Sequence, residues 1–159
     1  MIVRDANPAD VSAAHRLIGQ LADPPDEAAF RARFEHVLAT DDHRIVVAEV
    51  AGKVVGVLHM FERPALEKPC EAVVQALVVD SEARSSGVGE ALMREAEAWA
   101  QSRKLPSVSL YSRVDRKRSH AFYERIGYRV KATSVPASPL KPLRRRAHAV
   151  DNKGVARSG

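Results

Sequence analysis

The sequence is poor in cysteine: Cys70 is the only one among 159 residues. An internal disulfide is thereby excluded, and a reducing, cytoplasmic setting is expected. No apolar run approaches the roughly 20 residues that span a bilayer, so no membrane partner is expected. The first residues, Met1-Ile2-Val3-Arg4-Asp5, meet an acid at once and lack the charged-then-apolar layout of a secretion signal. No cluster of His, Cys, Asp or Glu has the spacing of metal ligands, so no metal is expected. No Ser-His-Asp arrangement is evident. No histidine lies close to Cys70 in sequence, which speaks against a cysteine nucleophile. The Gly-Lys-Ser/Thr of a P-loop is also missing.

What is present describes an ordinary globular chain. Hydrophobic residues make up 45% and charged residues 28%, a balance that argues against global disorder. The length suits one domain with a core that needs no staples. The formal charge is +5 and is unevenly placed. Lys141, Arg144, Arg145, Arg146, Lys153 and Arg157 face only Asp151 in the last stretch, so the rest of the chain is neutral overall. The basicity belongs to a tail, and the body is not expected to bind nucleic acid. The expected division is a domain over 1–135 and a basic, poorly ordered tail over 136–159.

Ile2–Ala6 reads as a first strand. Asn7-Pro8-Ala9-Asp10 reads as a helix start, with Asn as cap, Pro at the first helical position and an early acid. Val11, Ala14, Leu17, Ile18 and Leu21 follow at helical spacing. A second helix follows Asp26, with Phe30, Phe34, Val37 and Leu38 on one stripe. The β-branched run 45–50, a turn at Ala51-Gly52 and a return over 53–61 predict a hairpin. A third apolar run, Glu71–Val79, predicts a central strand. A helix from Gly87 to about Arg103, a short strand over 108–111, a helix capped by Asp115 and ending at Gly127, and a strand over 128–135 complete the order. The strand–helix–strand unit in the second half predicts two adjacent parallel strands. The class is α+β or mixed α/β, one sheet with helices on its faces.

The most informative segment runs from Leu77 to Gly89. An apolar strand enters the polar turn Asp80–Ser86, then Gly87-Val88-Gly89 opens an amphipathic helix. The first four N–H groups of a helix have no internal partner, and the helix dipole adds partial positive charge there. Glycine lets the backbone approach a ligand closely, and Arg84 adds a fork of donors. These features suit a phosphate or diphosphate. A tight turn alone would explain the two glycines as well.

Two motifs resemble the GNAT superfamily of N-acetyltransferases. Arg84-Ser85-Ser86-Gly87-Val88-Gly89 is similar to the family signature Q/R-x-x-G-x-G/A, and Leu77-Val78-Val79 to the strand that precedes it. Ser119-His120-Ala121-Phe122-Tyr123-Glu124-Arg125-Ile126-Gly127-Tyr128 resembles the later motif A-x-x-F-Y-x-x-x-G-F/Y. The separation of the two motifs and the order of elements agree as well. The resemblance implies a mostly antiparallel central sheet, with helices on both faces and parallel fourth and fifth strands that splay apart.

It also implies acetyl-CoA as cofactor, CoA as product, and direct transfer of the acetyl group to a primary amine. The acceptor would be a small molecule or a peptide. The diphosphate would lie on the N–H groups of Arg84, Ser85, Ser86, Gly87, Val88 and Gly89. The pantetheine arm would lie along Leu77, Val78 and Val79. Tyr123 would be the general acid that protonates the departing thiolate, and Glu71 or Glu62 a base reached through water. His59, inside an apolar strand, reads as a face residue. His120 would touch the cofactor. Family members often carry an asparagine several residues before the Phe-Tyr pair; residues 111–118 hold none, and Arg116 or Arg118 would take over a contact there. The family often forms homodimers. The alternative is a module that binds acetyl-CoA as a sensor or scaffold without turnover.

Overall fold

A computed structural model describes residues 1–23, 26–111 and 117–129. Strand β1 (Ile2–Asp5) leads into a 3-10 turn at Pro8–Asp10. Asn7 and Asp10 form a reciprocal capping box there, each side chain accepting from the other end's backbone N–H region. Helix α1 (Val11–Ile18) follows, then α2 (Glu27–Leu38), whose N-cap Asp26 accepts from the N–H groups of Ala28 and Ala29. Strands β2 (His43–Val50) and β3 (Lys53–Arg63) form the expected hairpin. Strand β4 (Glu71–Val79), helix α3 (Val88–Ser102), strand β5 (Val108–Leu110) and helix α4 (Lys117–Arg125) complete the described elements. The proposed Asp115 cap, Arg116, residues 130–135 of the expected closing strand and the tail over 136–159 lie outside the described residues.

The strands lie side by side in chain order, β1-β2-β3-β4-β5. The first three pairings are antiparallel and β4–β5 is parallel, as the strand–helix–strand unit requires. This is the mixed α/β class expected, with helices on both sheet faces. Period-two alternation in the strands divides the core into two layers. Val46, Ala48, Leu58 and Met60 face Val88, Leu92, Met93 and Ala96 of α3. Ile45, Val47, Val57 and Val78 face Val11, Ala14 and Leu17 of α1 and Phe34 of α2. The sheet is thus buried on both sides, which explains why β2 and β4 read as nearly continuous apolar runs.

Gly56 sets how closely α3 lies against β3. A Cβ built on it would stand 2.9 Å from both Leu92 Cδ1 and Val88 Cγ1. Both of those side chains are buried in the core, so neither can swing aside freely.

Near the far end of the β2–β3 hairpin, His43 and His59 meet across the strands, with His43 Nδ1 and His59 Nε2 2.9 Å apart. Their rings stack at 5.2 Å, and Phe61 stacks on His43 at 5.2 Å. One proton serves this contact, so the pair accommodates two neutral rings and resists two charged ones. Burial, and then the neighbouring His43, hold the His59 pKa down to about 4 from an ordinary 6.5.

Two consequences can be measured. Gly56→Ala should destabilise the fold by about 1–3 kcal/mol through overpacking; urea unfolding with an unchanged midpoint would show that α3 is free to retreat. For His59, the unfolded chain binds a proton between about pH 4 and 6.5 that the folded chain refuses. Its contribution is therefore complete above that window and is lost as pH falls through it, by at most about 3 kcal/mol. Melting temperatures taken from pH 7 to pH 4 should fall, and His59→Phe should flatten the profile. An equal slope in the variant would assign the effect to another group.

Candidate active site

Strand β4 is paired unequally on its two edges. Against β3 it is paired from Glu71 to Val79, whereas against β5 it is paired only at Ala72, Val73 and Val74. Beyond Val74 the two strands part. The break coincides with a bulge: His59 faces Ala76 and Met60 faces Val74, so Gln75 is the extra residue and is exposed. A bulge increases local twist and re-aims the strand. From Gln75 to Val79 the β5-side edge of β4 has no strand partner among the described residues.

The gap is a cleft of about 240 Å³. Val74, Gln75, Ala76 and Leu77 form one wall, Leu110, Tyr111, Ser119 and Tyr123 the other, and Leu21 and Ala22 close it from the end of α1. Among these described lining residues no carboxylate appears, and Tyr111 and Tyr123 carry the only titratable side chains. Tyr123 is half-buried. Its ring meets Phe122 at 5.2 Å and Tyr128 at 6.3 Å, both edge to face. The Tyr128 hydroxyl donates to Glu97 at 3.0 Å, and burial together with that carboxylate pushes its pKa well above the usual phenol range. The two tyrosines of the motif therefore differ: Tyr128 is anchored on α3 and Tyr123 faces the cleft.

At the carboxyl end of β4 the chain makes the turn that the sequence singles out. A 3-10 turn over Ser81–Ala83 is capped by Asp80, and Gly87 then takes φ +83° as the N-cap of α3. This left-handed conformation strains any residue with a side chain. Ser85 also has positive φ, at 65°. Arg84, Ser85, Ser86 and Gly87 are all exposed. No main-chain N–H from 84 to 90 donates a hydrogen bond to another described residue. Over 84–87 the main chain is exposed and its amides are unpaired among the described residues, an arrangement that suits an anion. The side chains take other duties. Arg84 Nε donates to the Val79 carbonyl at 3.3 Å, and Ser86 Oγ to the Ala83 carbonyl at 2.5 Å. Val88 is buried in the core.

Gly89 differs from Gly87. A Cβ on Gly89 would stand 3.1 Å from the Phe122 ring, whereas one on Gly87 would meet nothing within 4 Å. Gly89 thus gives close packing between α3 and α4, and Gly87 gives a backbone conformation. The two motifs of the sequence touch each other here.

Glu71 lies at the opposite end of β4 from this turn. It is buried, with its carboxylate bonded by Arg63 and, at 2.7 Å, by Lys68 Nζ. Burial works to raise its pKa, but the hydrogen bonds and charges of Lys68 and Arg63 outweigh it and hold the carboxyl below its usual range. Arg63 also bonds the Tyr111 hydroxyl, with its guanidinium 5.2 Å from that ring centre. Glu62 pairs with Arg103. His120 is half-buried on α4, and Arg118 is exposed. The structure brings Leu77, Tyr123 and the β4 edge to one cleft, with the turn at its carboxyl end. It leaves Glu71, Glu62 and His59 outside the lining.

A second depression of about 350 Å³ lies between α3 and α4. Arg94 pairs with Glu90 there at 2.6 Å, Tyr128 bonds Glu97, and Arg125 lies over the Phe122 ring. The splayed cleft is the site with unsatisfied main chain.

Gln75, Leu21, Ala22 and Tyr111 are not legible as cleft residues from the sequence. A bulge shifts register without a fixed residue signature, and the other three reach the cleft only through tertiary packing.

Comparison with known proteins agrees with this geometry. The profile of the Acetyltransferase (GNAT) family matches residues 12–128. An uncharacterized N-acetyltransferase of Methanocaldococcus jannaschii is 31% identical over 100 residues, covering 62% of this chain and 44% of that protein. The matched part is therefore less than half of that relative's length. Among solved structures, a putative acetyltransferase from Agrobacterium tumefaciens superposes with a TM-score of 0.77 at 26% identity, covering 87% of this chain and 99% of that one. The aminoglycoside 6′-N-acetyltransferase AAC(6′)-Ig of Acinetobacter haemolyticus gives a TM-score of 0.80 at 21% identity, covering 89% and 99%. The last likeness is one of fold.

Proposed function

Since the chain belongs to the GNAT acetyltransferase family, whose members are acyltransferases that use acetyl-CoA, we propose that it transfers an acetyl group from acetyl-CoA directly to a primary amine. The acceptor is a small molecule or a peptide. The observation that carries this reading is the exposed main chain of 84–87, whose amides, like those of Val88 and Gly89, donate to no other described residue, at one end of a cleft that Tyr123 lines. The thioester supplies an activated acetyl group; every other requirement falls on this chain.

The amides from Arg84 to Gly89 would hold the diphosphate, aided by the α3 dipole. The unpaired edge of β4 beyond Val74 offers main-chain groups to the pantetheine amides, as a sheet edge does to an added strand. Main-chain N–H groups on the unpaired edge of β4 would stabilise negative charge on the thioester oxygen. Tyr123, which lines the cleft, would deliver a proton to the departing sulfur, and the proton lost by the amine would pass to solvent water. A phenol and a thiol have comparable affinities for a proton, with pKa values of roughly 10 and 8.5 in water. Glu71, the base expected from the strand start, fits an anchoring role better. Two cations occupy its carboxylate and hold it ionised, and it fixes Arg63 against Tyr111 at the cleft wall. His120 and Arg116 remain proposed cofactor contacts, Arg116 lying outside the described residues. A homodimer and a cytoplasmic setting are likewise proposals; among the described residues no helix is long and apolar enough to cross a membrane.

The direct test is thiol release from acetyl-CoA across small amines, polyamines, aminoglycosides and lysine peptides, with bare CoA binding measured in parallel. Turnover with at least one amine is expected; CoA binding with no turnover across the panel would favour a sensor. Gly87→Glu places a carboxylate at the turn and should weaken CoA binding by more than about a hundredfold, an ion repelled from an anion site. Gly87→Ala carries the same backbone strain, roughly 1 kcal/mol, without the charge and should weaken it by less than about tenfold. Similar losses in both would mean that conformation alone matters there. Tyr123→Phe should lower kcat by about 10²-fold or more while CoA affinity stays within a few-fold; an unchanged kcat would remove Tyr123 as the acid.

A further inference from the structure

The turn that carries the open amides is held from across the sheet edge by a helix that the reaction scheme has not used. Arg16, in the last turn of α1, donates from Nη1 to Asp80 Oδ2 at 2.5 Å and from Nη2 to the Val54 carbonyl at 3.0 Å. One helical turn further, Gln20 Oε1 accepts from the Ser81 N–H at 3.2 Å. Asp80 is the centre of the arrangement. Its side chain is buried, its own N–H donates to the Val55 carbonyl at 2.8 Å, and its Oδ1 accepts from the Glu82 N–H at 3.4 Å. Its carbonyl accepts from Ala83 N–H at 2.9 Å. The Arg16 hydrogen bond is the main reason that the Asp80 carboxyl stays below its usual range, so it is ionised at neutral pH.

The same end of α1 reaches the cleft. Leu21 and Ala22, whose N–H groups both donate to the Ile18 carbonyl, line it opposite Tyr123. A stretch of seven residues, 16–22, therefore bonds the entry of the diphosphate turn at one point and walls the cleft at another. Nothing in the packing of the core requires this. Arg16 and Gln20 are exposed, and the apolar face of α1 is made by Val11, Ala14 and Leu17.

We propose that Arg16 and Gln20 are positioning residues, which hold the turn after β4 in the shape that presents its amides to the diphosphate and tie that turn to the wall of the cleft. Arg16 bridges two main-chain segments, the start of β3 at Val54 and the end of β4 at Asp80, so it fixes where β4 stops. Gln20 then orients Ser81, the first residue of the 3-10 turn. Over 84–87 the other side-chain hydrogen bonds among the described residues, Ser86 on Ala83 and Arg84 on Val79, lie within the turn itself. Preorganised donors bind an anion more tightly than donors that must first be ordered. This inference rests on the reading of the turn as the diphosphate site.

The test uses the full chain and equilibrium binding, with CoA and pantetheine as probes. Pantetheine lacks the diphosphate and reports the β4 edge alone. Arg16→Met should raise the Kd for CoA about tenfold and leave that for pantetheine within about twofold. Arg16→Lys, which keeps a charge for Asp80, should recover part of the loss. Gln20→Ala removes one exposed hydrogen bond and should raise the CoA Kd by a few-fold, which keeps the test open if Arg16→Met folds poorly. Equal loss for both probes would show a merely structural role, and CoA binding at the wild-type level in both Arg16→Met and Gln20→Ala would overturn the inference. Gly87→Glu serves as the reference. If it too binds CoA normally, the diphosphate reading fails and this inference with it; if it loses CoA while the Arg16 and Gln20 variants do not, only the positioning role fails.

Discussion

The structure depends on the unequal pairing of one strand. Among the described residues, β4 is paired with β3 along its length and with β5 at three residues only. A buried strand edge without partners is costly, since each orphaned amide or carbonyl loses water without gaining a bond. The chain tolerates it by keeping the edge beside a cleft rather than inside the core. The bulge at Gln75 produces the divergence, and the parallel pairing before it fixes where divergence starts. Once the strands part there, a ligand with its own amides can complete the ladder. The turn at the end of β4 then meets whatever that ligand carries at its far end.

Two regions that look independent along the chain are mechanically joined. Gly89 stands in the helix after the turn, and Phe122 stands beside Tyr123 more than thirty residues later. The absent side chain of Gly89 receives the Phe122 ring. Tyr123 is thus carried on a helix whose seat is cut into α3, the helix that follows the turn. Arg125 lies over the same ring, 5.6 Å from its centre. The second glycine of the signature is explained by this packing, without any need for direct approach to phosphate. The first, Gly87, is explained by its left-handed backbone. One motif therefore contains two glycines with two different physical reasons.

Much of this was legible from the residues alone, and the division follows range. Caps, turns and amphipathic stripes are local, so Asn7, Asp26, Ala51-Gly52 and the start of α3 stood where expected. The family resemblance, carried by two short motifs, agrees with the matched profile, and the parallel strand pair follows from the connection between β4 and β5. What could not be read was set by register and by long-range ion pairs. Gln75 looks like one polar residue in an apolar run, yet it is the bulge. Glu71 looks like a solvated strand end, yet Arg63 and Lys68 bury its charge. Asp80 looks like the first residue of a polar loop, yet it is buried under Arg16. In each case the decisive partner lies on another element, and no periodicity announces it.

Arginine does a particular kind of work in this chain. Arg4 joins Asp10 with a two-pronged contact at 2.8 and 2.9 Å and also reaches Glu49 on β2. Arg44 on β2 joins Asp5 on β1 at 2.6 Å and Glu95 on α3 at 2.8 Å. Arg63 joins β4 to the residue after β5, and Arg16 joins α1 to the end of β4. Partly exposed ion pairs contribute little to stability, typically about 0–1 kcal/mol each. Their value here is geometric. A guanidinium offers several donors in a fixed plane, so one side chain can bind two segments at once and set the angle between them. Apolar packing holds the two layers against the sheet, but it thins out toward the strand ends. The arginine contacts lie at strand ends, where sliding would be greatest and where the cleft and the open amides are found. The hydrophobic layers thus supply the stability and the register, and the arginines tie together the strand ends on which a site built from main-chain groups depends.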